Sequence, residues 1–137
     1  MESHPGLQDN GPGNIRILRY ADILLIAAES LNEINNPTEA LKYLNQVRQR
    51  ARGTRTTVLP DVVSVDKVTL RERIWKERRI ELAMEQQRWF DLVRTGQVEK
   101  VMKNLGKNFI KGKHDLFPIP QTEIDLSEGK MTQNPGY

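Results

Sequence analysis

The stretch ILRYADILLIAAESLNEINNPTEALKYLNQVRQRARG, residues 17–53, decides the fold. Leu18, Ala21, Leu25, Ala28 and Leu31 or Asn32 recur at the i, i+3, i+4, i+7 spacing that lines one face of a helix. The apolar run over residues 23–28 stops at Glu29, well short of the ~18 residues of a membrane span, and reads as a buried helix face. Ala21, Ala27 and Ala28 are small enough to let a neighbouring helix approach closely. Asn35-Asn36-Pro37 then breaks the pattern. Asn36 suits an N-cap, Pro37 the first helical position, and Glu39 the positive end of the helix that follows. That helix is expected over residues 37–52, with Ala40, Leu44, Val47 and Ala51 on one stripe, Leu41 beside it, and Gly53 ending it. Two helices joined this tightly must fold back as an antiparallel hairpin, the unit of helical repeat proteins.

Upstream, residues 1–14 have loop composition and read as a lead-in; the helical domain is expected over 15–137. Downstream, residues 54–68 show no periodic face and predict a variable loop with a short extended piece. Thr69 followed by Glu72 is a capping-box pattern. It predicts one continuous helix over about 70–94, closed near Gly96, with Trp75, Leu82 and Trp89 recurring every seven residues. A shorter helix over 97–105, an extended Leu116-Phe117-Pro118-Ile119-Pro120 and a helical turn over 121–126 follow. The tail, residues 131–137, is too rich in Pro and Gly for regular structure. No strand pair is strong enough to define a sheet, so the class is all-α: a tetratricopeptide-like hairpin, a long bracing helix and an irregular C-terminal tail.

Composition removes several chemistries. The 137 residues are 37% hydrophobic and 28% charged, a globular balance for one domain. They contain no Cys, which excludes disulfides, thiolate chemistry and a lipidated cysteine within them. His4 and His114 lie far apart without Cys/His clustering, so no metal site is expected. No cofactor motif is present. The start has no basic-then-apolar leader. Net charge is +3, with basic clusters at Arg48, Arg50, Arg52 and Arg55 and at Lys100, Lys103, Lys107, Lys111 and Lys113. Such clusters can be a nucleic-acid footprint. Without a recognition motif they read as solvated surface, and no nucleic-acid partner is expected.

The one constellation that could carry chemistry is KERRIELAMEQQRWFDLVRTG, residues 76–96. On a continuous helix Glu77, Arg78, Glu81, Glu85 and Arg88 drift along one face, extended by Asp91 and Arg94. Glu81 and Glu85 would have Cβ atoms about 5–6 Å apart, close to the carboxyl spacing of a retaining glycosidase. Neighbours on one helix face cannot flank a sugar from opposite sides, however. Arg78 and Arg88, within a turn, would also favour the charged form of both, whereas one must hold a proton. An ion-pair network with Arg78, Glu81, Glu85 and Arg88 paired and partly buried is the expected arrangement, and no catalytic residue is assigned. Trp75 and Trp89, on a stripe with Leu82, read as core; Phe109, in a Lys/Gly-rich loop, reads as a weak candidate for an exposed sugar-stacking ring.

Several segments together resemble one family. Arg19-Tyr20-Ala21-Asp22-Ile23-Leu24-Leu25 followed by Ala27-Ala28-Glu29 is similar to the RYADVLLxxAEA segment of SusD/RagB proteins. Leu44-Asn45-Gln46-Val47-Arg48 with Arg50-Ala51-Arg52-Gly53 resembles their INxVRxRAG, and residues 77–94 resemble their ERRxELAxEGxRxxDLxR. Leu116-Phe117-Pro118-Ile119-Pro120 and Gln133-Asn134-Pro135-Gly136-Tyr137 are similar to the family's end. The match covers nearly everything from Ile15 onward in order. It departs at Gln86-Gln87, where the family pattern carries a Gly and a variable residue.

The resemblance implies a non-enzymatic nutrient receptor on the extracellular face of the outer membrane, binding glycans or peptides for a SusC-like TonB-dependent transporter. Membrane contact would be made only through a lipid anchor that these residues lack. Family chains are several times longer, so the missing part is expected on the N-terminal side, with most ligand contacts in it. No motif transfers a ligand-binding residue to a position here, and none is assigned. The alternative is a tetratricopeptide-like module binding a protein partner, which the hairpin alone would support.

Overall fold

The computed structural model describes residues 17–55, 57–63 and 66–137; the lead-in expected over 1–14 lies outside the described residues. Six helices follow in order: α1 Tyr20–Glu33, α2 Pro37–Arg52, α3 Lys67–Glu81, α4 Arg88–Arg94, α5 Val98–Asn104 and α6 Gln121–Leu126. The described residues include no strand, and the class is all-α. The chain divides into two compact units, one ending at Leu82 and the other running from Ala83 to Tyr137.

In the first unit the α1–α2 break works through three consecutive side chains. Asn35 takes φ 61°, a left-handed conformation that Asn tolerates better than most residues. The Asn36 N–H then reaches back to Leu31 O at 2.8 Å, closing the end of α1. Asn36 Oδ1 accepts from the Glu39 N–H, and Pro37 opens α2. Within about one turn the chain stops one helix and starts the next, so α2 returns along α1. The buried faces interlock Leu24, Leu25 and Ala28 with Ala40, Leu44 and Val47, and Leu70 and Ile74 of α3 complete the same core. Two expected positions lie elsewhere: Leu18 precedes α1 and Ala51 sits on the last turn of α2, both exposed.

Ion pairs give the helix directions. Asp22 near the start of α1 meets Arg78 near the end of α3, while Glu33 at the end of α1 meets Arg71 near the start of α3. Arg48 and Arg50 late in α2 meet Glu77 and Glu81 late in α3. Helix α1 is therefore antiparallel to both α2 and α3.

Two expectations about α3 are corrected. The helix begins at Lys67, because Asp66 caps it: its Oδ1 accepts from the Val68 and Thr69 N–H groups, each at 3.0 Å, and the Thr69 hydroxyl donates to its other oxygen. A carboxylate three residues upstream displaces Thr69 from the capping role. The helix then ends at Glu81 instead of running to residue 94. Residues 82–86 form turns in which Met84 and Gln86 take φ 68° and 63°. The segment contains no Gly or Pro to announce a break, which is why periodicity carries the helix straight through it.

The loop after α2 is anchored where the sequence suggests nothing to bury. Val62 is only 8% exposed and belongs to the first core. The Asn45 carboxamide donates to Val62 O at 2.9 Å and accepts from Val62 N–H at 2.8 Å. Arg48 donates twice to Pro60 O, and Arg52 donates to Leu59 O.

The second unit builds a small core from Leu92, Val98 and Phe109, with Trp89, Val93, Val101 and Met102 packed on it. Helices α4 and α5 end alike: Gly96 and Gly106 take φ 68° and 67°, and the next N–H bonds back five residues, Gln97 to Leu92 and Lys107 to Met102. Helix α6 spans residues 121–126 as expected. The tail has no regular structure, yet it is bonded to the extended segment before it. The Gln133 carboxamide accepts from Ile119 N–H at 2.7 Å and donates to Ile119 O at 2.8 Å. Asn134 donates to Phe117 O and the Tyr137 hydroxyl to Leu116 O.

Candidate functional site

The charged face of α3 is a set of cross-helix braces. Arg78 and Asp22 meet at 2.7 Å with side chains 5% and 7% exposed. Arg48 pairs with Glu77, both nearly buried. Glu81 Oε1 accepts from Arg19 and from Arg50, each at 2.7 Å, and Arg19 also reaches the Glu81 carbonyl. Nearer the start of the same helix Arg71 makes a bidentate pair with Glu33 of α1 and, with Lys67, holds the Glu33 carboxyl below the usual range against the opposing effect of burial. Nearly every brace joins α3 to α1 or α2, so the charges orient three helices around an apolar core. Removing water from such pairs costs about what their attraction returns, so their contribution is registry more than net stability.

The carboxylate-pair geometry does not form. Glu81 is the last residue of α3 and its carboxylate is engaged by two guanidinium groups. Glu85 lies beyond the helix end, exposed. The i, i+4 relationship that would bring them within about 6 Å requires a helix through both residues. Arg78 and Glu81 are paired and buried as the charge pattern predicts; the burial expected of Glu85 is corrected by the turn at 82–86.

The aromatic residues also redistribute. Trp75 lies at the α1–α3 contact, its indole N–H donating to Glu29 at 2.9 Å and the Arg71 guanidinium 6.0 Å from its ring centroid. Trp89 packs on the second unit's core while Trp75 belongs to the first unit, so the seven-residue stripe divides between the two units. Phe109 is 7% exposed and meets Trp89 edge-on at 6.5 Å, which corrects the expectation of an exposed ring there. An exposed ring in this region is Phe117, 70% exposed and 6.5 Å from Trp89. Its place between Leu116 and Pro118 gives no sign of exposure in sequence. Among the described residues no group of three or more His, Asp or Glu is placed to hold a metal ion, and no helix is long and apolar enough to cross a membrane.

Comparison with known proteins supplies the context these braces lack. The model of the SusD family matches residues 7–137. A SusD-like protein, P38, of Formosa agariphila is 44% identical over 136 residues, covering 97% of this chain and 26% of its own length. Among solved structures, a SusD homolog from Bacteroides thetaiotaomicron superposes with a TM-score of 0.75 at 37% identity, covering 88% of this chain and 26% of that one. A SusD-like protein from Bacteroides fragilis superposes with a TM-score of 0.66 at 35% identity, covering 90% and 26%. The chain thus spans about a quarter of the length of the relatives it matches.

Proposed function

Because this chain belongs to the SusD family, we propose that it serves a cell-surface receptor that captures an oligomeric nutrient, a glycan or a peptide, and passes it uncleaved to a SusC-like TonB-dependent transporter. The receptor works at the extracellular face of the outer membrane. In it the first unit is scaffold: a hairpin and a bracing helix whose polar side chains are engaged with one another.

The observation that carries this reading is the extent of the family match, continuous over residues 7–137. The non-enzymatic part draws support from Glu81, which is committed to Arg19 and Arg50, and from Glu77 one turn before it, which is committed to Arg48. Calorimetry of the full-length receptor against a panel of polysaccharides and peptides, with chromatography of the incubated ligands, tests it. Binding with unchanged ligand is expected. Ligand cleavage that disappears in Glu81→Gln would overturn the non-enzymatic reading, and a receptor that binds none of the panel but captures a folded protein partner would favour an interaction module.

A further inference from the structure

The two kinds of basic residue are used differently. In the first unit Arg48, Arg71 and Arg78 lie in ion pairs with carboxylates of other helices. From residue 95 to 137 the chain has six Lys and no Arg. Five of these six lie between residues 98 and 114, where Glu99 is the one carboxylate. Glu99 pairs with Lys103 at 2.8 Å, and its carboxyl is held below the usual range chiefly by Lys103 and, against an opposing effect of desolvation, further by the charge of Lys111.

Turns, not the helix alone, gather the lysines. At Gly106 the chain leaves α5 and the Lys107 N–H folds back to Met102 O. Phe109 inserts into the core, and the Ile110 N–H donates to His114 Nδ1, closing a second turn that carries Lys111 and Lys113. Lys100, Lys103, Lys107 and Lys111 are exposed. The pull of a helix C-terminus accounts for Lys103 in the last turn of α5, but Lys107, Lys111 and Lys113 follow the helix. The same unit carries two exposed aromatic rings: Phe117, and Tyr137, whose ring has the Lys113 ammonium 4.9 Å from its centroid.

Resting on the reading of this chain as part of a glycan receptor, we propose that the lysine-rich turn region of the second unit, with Phe117 and Tyr137, is a subsite for an anionic polysaccharide segment bearing sulfate or carboxylate groups. Ammonium groups on flexible stems meet charges spaced along a flexible polymer without fixing their orientation, whereas a guanidinium fork selects planar, bidentate partners. The aromatic faces cover the apolar C–H face of a sugar ring, as amphipathic rings do at wet interfaces. A nucleic acid offers rings and charges too, and the absence of Arg from this patch argues for the sugar polymer.

Titrating the folded 137-residue chain with dextran sulfate, polygalacturonate and neutral dextran, at rising salt, tests the assignment. Both anionic polymers should bind and dextran should not. The triple variant Lys103→Gln, Lys107→Gln, Lys111→Gln should bind about ten-fold more weakly with a shallower salt dependence, and the matching Lys→Arg triple should retain affinity. Phe117→Ala should weaken binding at an unchanged salt slope. Undiminished affinity in the Gln triple, with circular dichroism showing it folded, would overturn the proposal. So would tighter binding of oligo-dT or of vesicles with anionic headgroups than of either polysaccharide. Neutral-glycan capture by the full-length receptor is a separate measurement: its survival alongside a failed anionic subsite would leave the receptor reading standing, and its loss would count against that reading alone.

Discussion

The carboxamide of Asn45 satisfies both main-chain hydrogen-bonding groups of Val62, accepting from its N–H at 2.8 Å and donating to its carbonyl at 2.9 Å. One side chain on α2 thereby does for a loop residue what a neighbouring strand would do in a sheet, and the Val62 side chain is carried into the core. Asn45→Asp keeps the size and the acceptor but loses the donor to Val62 O. A loss of about 1–3 kcal/mol in urea unfolding is expected, as for a buried polar group left without its partner. Asn45→Asp with an unchanged midpoint would mean the loop is not held this way.

Arg78 and Asp22 form a buried ion pair of the first unit. Asp22→Ala breaks this buried pair by removing the carboxylate and should cost about 3–5 kcal/mol. The exposed Glu85 provides the contrast: Glu85→Ala should fall within about 1 kcal/mol of wild type. Thermal unfolding of the two variants side by side reads the difference directly.

At Gln86 the backbone sits at φ 63°, a conformation costing a residue with a Cβ about 1–2 kcal/mol. Gly avoids that cost but gives back part of it through greater freedom in the unfolded chain. Gln86→Gly should therefore raise stability by up to about 1 kcal/mol. A lowered melting temperature would show that the Gln side chain makes a contact worth more than the backbone conformation costs.

Asp66, the N-cap of α3, has its carboxyl held below its ordinary value of 3.8, first by the Thr69 hydroxyl and then by the Thr69 N–H, with slight burial opposing them. A carboxyl depressed in the folded state adds stability that is present above the ordinary value and lost as pH falls through the lower folded one. Thr69→Ala should therefore bring the acid unfolding limb to higher pH. Asp66→Asn keeps a capping oxygen while removing the titration, so its stability should vary less than wild type below about pH 4. Melting curves collected from about pH 6 to about pH 2 compare the three proteins.

Several features were legible in the residues alone, because each depends on atoms close together in the chain. Asn35-Asn36-Pro37 specifies a helix stop and start through φ preference, capping and a missing N–H, and the structure places the break there. The limits of α2 and α6 follow in the same way from Pro37, Gly53 and Pro120. The ordered segments from Arg19 to Tyr137 carried the family assignment, and within them the pattern's Gly at position 86 marks the very residue that turns left-handed here. The helix break itself was not legible. Residues 82–87 are helix formers without a breaker, and propensities of a few tenths of a kcal/mol per residue yield to tertiary context.

Tertiary structure decided which polar groups found one another. Asn45 with Val62, Gln133 with Ile119, and Glu81 with Arg19 and Arg50 lie 14 to 62 residues apart in the chain. No local period encodes such pairings, since they form only when packed helices and returning loops bring the groups within about 3 Å. The same holds for burial: Phe109, in a polar loop, is enclosed because Trp89 and Val98 reach it from elsewhere, while Phe117, amid apolar neighbours, is left facing water. Local chemistry sets the helices and their ends; long-range contact alone determines which ring is core and which is available to a ligand.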